Sequence, residues 1–251
     1  MSNKEYKPRM NEFLNYVCFR IEFYSLPTFL DNYVAYLANE FPNVLSKQRA
    51  LSQAEMGLVD VDTIAWDLDL PIVSIIEPDQ QSYVFDDIIV GGLLSKVYVN
   101  PYFVCIYIPI DNGNTINEET LESDIKRILN MDVLNAVAQI KNISCIANLY
   151  LNCTPETYNK CEVLDKDAFP QINPDDINSG RYSDSHQTDN GIERILIRDI
   201  IKGRDGKTDI IYLYVSITSI SIYDPSSNVN FDKIFQELFN SALNGAARCF
   251  K

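Results

Sequence analysis

The clearest alternation in the chain runs from Thr208 to Tyr223, TDIIYLYVSITSISIY. Ile211, Leu213, Val215 and Ile217 alternate with Tyr212, Tyr214 and Ser216, the period of a β-strand. The stretch holds no Gly or Pro and is rich in β-branched and aromatic residues, which pack well on a pleated surface. After Thr218 the apolar positions shift by one, to Ile220 and Ile222, which predicts a β-bulge near Thr218–Ser219. Upstream, Ile192–Ile201 (IERILIRDII) reads as a second strand. The Asp205–Gly206 step between the two tolerates positive φ, so the pair predicts a long antiparallel hairpin spanning Ile192 to Tyr223.

Helical spacing appears elsewhere. Met10, Phe13, Leu14, Val17, Cys18, Ile21 and Tyr24 recur at a period that predicts an amphipathic helix over 9–24. Thr28 can cap a second helix with the stripe Leu30, Tyr33, Val34, Leu37 and Phe41, closed by Pro42. Ser46 to Met56 reads as a third, so 9–56 forms an N-terminal helical segment. Strands follow over 71–76 and Ser82–Val90, then a bend at Gly91–Gly92 and a strand pair or bulged strand over Val97–Ile110. Asn117 caps a central helix whose first turns carry Glu118, Glu119 and Glu122, with Asn130 marking a break before the stripe ends near Lys141. Ile143–Cys153 is a strand. Thr154 to Asn190 reads as a long polar loop, 154–190. Asn230 caps a last helix bearing Ile234, Phe235, Leu238 and Phe239.

This order predicts α+β: a mixed, largely antiparallel sheet with N-terminal helices, a central helix, a long β-hairpin and a C-terminal helix, in one domain over 1–251. The βαβ alternation of a dinucleotide fold is missing. At 46% hydrophobic residues over 251 positions, the chain can bury a substantial core.

Net charge of −14 disfavours nucleic acid and anionic membrane surfaces as partners, because both are held by cations. No apolar run reaches the length of a bilayer span. The opening MSNKEYKPRMNEF shows no apolar signal core, so the expectation is a cytoplasmic chain, in a host cytoplasm and incorporated from there into a virion if the source is a phage. The Asn-, Ile-, Asp- and Tyr-rich usage suits an AT-rich genome, which many phages have. Six cysteines without a CxxC pair read as free buried thiols, and the spacing of Cys145, Cys153 and Cys161 is not that of a zinc knuckle.

Few residues carry candidate chemistry. The single histidine, His186, sits beside Ser183, Asp184 and Ser185, but catalytic partners converge from a rigid scaffold and are seldom neighbours in sequence. Between Arg49 and Lys96 there is no Lys or Arg, and Asp60, Asp62, Asp67 and Asp69 form two DxD pairs. On strands each pair would share a face and could hold Mg²⁺, Mn²⁺ or Ca²⁺ for phosphoryl or glycosyl transfer. The competing reading of these acids is a surface matched to a basic partner. Arg198, Lys202, Arg204 and Lys207 cluster at the expected hairpin tip; they read as a solvated turn or as a cationic tip suited to gripping an acidic neighbour. No catalytic set and no cofactor is implied.

The favoured expectation is therefore a non-enzymatic structural or assembly subunit, self-associating or docked on protein partners, such as a virion head–tail connector or tail component. The alternative is a metal-dependent transferase built on the Asp60–Asp69 carboxylates. A third is an adaptor for one basic protein, whose binding would fade with salt.

Overall fold

A computed structural model describes residues 14–23, 30–51, 81–110, 114–153, 181–188, 191–205, 208–222 and 237–240. Twelve elements follow in chain order. They are β1 (Leu14–Phe23), α1 (Leu30–Glu40), β2 (Ser46–Ala50), β3 (Gln81–Val90), β4 (Leu93–Val99) and β5 (Phe103–Pro109), then α2 (Glu118–Ile128), α3 (Met131–Val137), β6 (Ile140–Cys153), β7 (Arg181–Thr188), β8 (Gly191–Asp205) and β9 (Thr208–Ile222). Residues 237–240 form a further helical turn. The strands make one nine-stranded sheet in the order β2-β3-β4-β5-β1-β6-β9-β8-β7. Every neighbouring pair is antiparallel. The class is α+β.

The core lies on one face of this sheet. Val17, Phe19, Ile21 and Phe23 of β1, Val104, Ile106 and Ile108 of β5, and Ile143, Cys145 and Ala147 of β6 meet Tyr33 and Leu37 of α1, Leu121, Ile125 and Ile128 of α2, and Leu134 of α3. The other face carries a smaller apolar cluster of Tyr16, Cys18, Val84, Tyr98, Phe103, Cys105 and Ile146.

The helix expected over 9–24 is instead strand β1 across its described part. β1 is buried on both faces between β5 and β6, so apolar residues occupy both of its parities. A strand covered on both sides loses its simple alternation, and a period of 3.6 fits the residue run by accident. The helix expected over Ser46–Met56 begins as β2, pairing Ser46 with Phe85 and Ala50 with Gln81, so tertiary pairing overrides a weak local preference.

Part of the expected polar loop is also a strand: β7 pairs along its whole length with β8, from Arg181 opposite Arg198 to Thr188 opposite Gly191. An edge strand needs no apolar alternation, which is why RYSDSHQT carries none. The strand expected over 71–76 lies outside the described residues, as does the stretch 154–180.

The long hairpin is present. β8 and β9 pair from Ile192 opposite Ile220 to Asp205 opposite Thr208. The bulge expected near Thr218–Ser219 is absent, because β9 keeps unbroken register there with both β6 and β8. The switch in apolar parity is shared across the pair, with Ile217 opposite Ile195 and Ile220 opposite Ile192, so no slip is needed. The irregularity falls near the tip, between Lys202 and Asp205.

Local chemistry fixes the rest. Gly91 and Gly92 have φ of 56° and 80°, the conformation of a tight two-residue hairpin turn between β3 and β4. Asn117 caps α2 by accepting from the Glu119 N–H at 3.0 Å. Asn130 breaks the helical stripe as expected and caps α3 through the Val133 N–H at 3.3 Å.

Candidate functional site

Two regions have the chemistry to do something: a buried polar band and the hairpin tip. The band crosses the sheet face opposite the helices. Arg20 and Glu22 of β1 lie beside Ser144 and Asn142 of β6 in register. Both charges are almost wholly buried, and the Arg20 guanidinium lies 3.2 Å from Glu22 Oε1 and 4.4 Å above the Phe103 ring. Asn142 Nδ2 donates to Glu22 Oε2 at 3.0 Å, and Lys141 Nζ is 3.9 Å from the same oxygen. Such a pair adds little net stability, since desolvation offsets the attraction, but breaking it is costly. Ser144 Oγ, Asn142 Oδ1 and Asn148 Nδ2 are buried without a hydrogen-bond partner.

This band is invisible to helical reading of 9–24. The signal for it was the alternation of Tyr16, Cys18, Arg20 and Glu22, four positions of one strand face.

Three of the cysteines sit in the sheet. Cys18, Cys105 and Cys145 are free and buried. Burial pushes the Cys145 thiol far up. Burial does the same to Cys18, helped by its hydrogen bond with Cys105. Cys145 and Cys153 also lie on one continuous strand, β6, about 26 Å apart at a rise of roughly 3.3 Å per residue. One zinc ion cannot take both.

Asp60, Asp62, Asp67 and Asp69 lie outside the described residues. Among the described residues no three His, Cys, Asp or Glu side chains gather as a metal site would require, and no helix is long and apolar enough to cross a membrane. His186 lies on β7 opposite Glu193. A crevice of about 40 Å³ opens between α2 and the 237–240 turn, lined by Phe19, Leu121, Ile125 and Phe239. It has room for a few waters.

Of the expected partner-binding residues, Arg198, Lys202 and Arg204 fall on β8, and Lys207 lies outside the described residues. Among the described residues β7 pairs along β8 from Gly191 to Arg198 and β6 along β9 from Ile222 to Ile211. Lys202 and Arg204 lie on β8 toward the tip of the hairpin, past Arg198. Arg198 is the direct cross-strand partner of Arg181, a like-charged pairing that an isolated sheet disfavours.

No family model, no curated protein and no solved structure matches this chain.

Proposed function

We propose that the chain is a non-enzymatic assembly subunit that docks through its β8–β9 hairpin onto an acidic protein surface, as a connector or tail component of a virion would. The observation that carries this reading is the basic end of the hairpin: Arg198, Lys202 and Arg204 follow one another along β8 as it approaches its turn. A cationic hairpin end on a chain of net charge −14 suits an acidic neighbour, and such complementarity governs association rate and specificity.

The test is charge reversal at the tip, with Arg198→Glu, Lys202→Glu, Arg204→Glu and Lys207→Glu together. The full chain is expressed with the products of its neighbouring genes, and complexes are weighed by light scattering. Loss of a defined complex in the variant, and its weakening in salt for the wild type, is the expected result. A wild-type chain that enters no complex at any concentration refutes the reading.

A further inference from the structure

β1 and β5 bring two cysteines together on the sheet face opposite the helices. Cys18 is paired in register with Tyr107, and Cys105 with Arg20, so the two thiols are diagonal neighbours. The same diagonal is in contact at the steps on either side. Tyr16 and Tyr107 have ring centroids 5.2 Å apart, and the Arg20 guanidinium lies 4.4 Å over the Phe103 ring. Each of these contacts joins a β1 residue to the one two places before its register partner, as Cys18 joins Cys105. The Cys18 and Cys105 side chains hydrogen-bond to each other. They are 0% and 1% exposed, in a cluster with Tyr16, Val84, Tyr98, Phe103 and Ile146.

Two adjacent thiols have two uses beyond packing: a disulfide or a shared soft metal ion. A diagonal pair stands roughly 7–8 Å apart between Cα atoms, beyond the ~7 Å limit of a disulfide. A metal ion spans more. Two metal–thiolate bonds of about 2.3 Å, in line, set the sulfurs about 4.6 Å apart. Zinc and the harder ions take four or more ligands, and Val84, Phe103 and Ile146 beside the pair supply none. Copper(I) is soft, selects thiolate and is satisfied by two. On binding, Cu⁺ displaces both thiol protons and leaves a bis-thiolate of charge −1. Arg20, directly opposite Cys105, puts a cation beside that charge. Both thiols are sealed once β1 and β5 have paired, so the ion has to arrive earlier.

We propose that Cys18 and Cys105 form a two-coordinate copper(I) site, filled while the β1–β5 seam is open and closed in by its pairing. The site is separate from the hairpin and stands or falls without it.

The test is copper loading of the full chain. It is unfolded in guanidinium, refolded without oxygen in copper(I) buffered by the chelator bicinchoninate, desalted and assayed for copper. Cys18→Ser and Cys105→Ser are each expected to retain about one ion fewer per chain than wild type, while Cys145→Ser, in the cluster on the helical face, matches wild type. Copper offered to the folded chain is expected to enter at least about tenfold more slowly than during refolding. X-ray absorption on the wild type needs no variant, so it decides the matter even where a variant misfolds: two sulfur neighbours are expected. No retained copper overturns the proposal, as do three or more sulfur neighbours. So does a Cys145→Ser loss as large as the other two, no loss in any variant, or equally fast loading of the folded chain.

Discussion

Tyr33 offers a direct measure of how the helical layer is locked. Its side chain is fully buried between α1 and the sheet, and its hydroxyl donates to the Ile128 carbonyl at 2.7 Å. Ile128 is the last residue of α2, where carbonyls have no partner within the helix. Tyr33→Phe keeps the ring and removes only the donor. A buried carbonyl stripped of its partner costs about 1–3 kcal/mol. For a chain of this size each kcal/mol moves the melting temperature by roughly 2–4 °C, so the variant should melt roughly 2–12 °C lower. Tyr36→Phe is the internal control. The Tyr36 hydroxyl makes the matching bond to the Arg127 carbonyl at 2.7 Å, but that bond is exposed and water can replace it. Its loss should cost less than about 0.5 kcal/mol. Urea unfolding followed by circular dichroism compares the two. Equal effects from both variants would refute the claim that burial makes the Tyr33 bond matter.

Two further outcomes are expected beside the association experiments. Gly91→Ala should destabilise by about 1–3 kcal/mol, because φ there is +56° and the new Cβ would lie 2.9 Å from Ile116 Cγ2; an unchanged urea midpoint would show that the turn adapts. Burial raises the Cys18 and Cys145 thiols above their ordinary 9.0 and the Tyr33 hydroxyl above 10.0. The folded state then favours the protonated groups. Their contribution is intact below about pH 9 and drains away as pH rises through the range of the raised values. Melting temperature should fall from about pH 9 upward, and a flat profile to pH 11 would contradict the burial of these groups.

The parts of the fold legible from sequence were those where one local rule acts alone. The β8–β9 hairpin announced itself through two alternating strands around an Asp–Gly step, and Asn117 and Asn130 through their place ahead of apolar stripes. β1 was not legible because burial on both faces blurs the period that separates strand from helix. β2 and β7 were not legible because edge strands are polar, and only their partners β3 and β8 make them strands. The charged tip was read from spacing, and Arg198, Lys202 and Arg204 do fall on β8 near its end. The Arg20–Glu22 band required knowing that the chain there is extended.

β1 has a consequence for synthesis. It lies between β5 and β6, and Tyr16 waits for Pro109 on one side and Asn148 on the other. At roughly 5–20 residues per second, the first of those partners leaves the ribosome on the order of 5–20 s after β1 does. Until then one of the most apolar strands of the molecule has nowhere to pair. An apolar strand left unpaired for that long is exposed to aggregation, so the wait is a vulnerable interval of its synthesis.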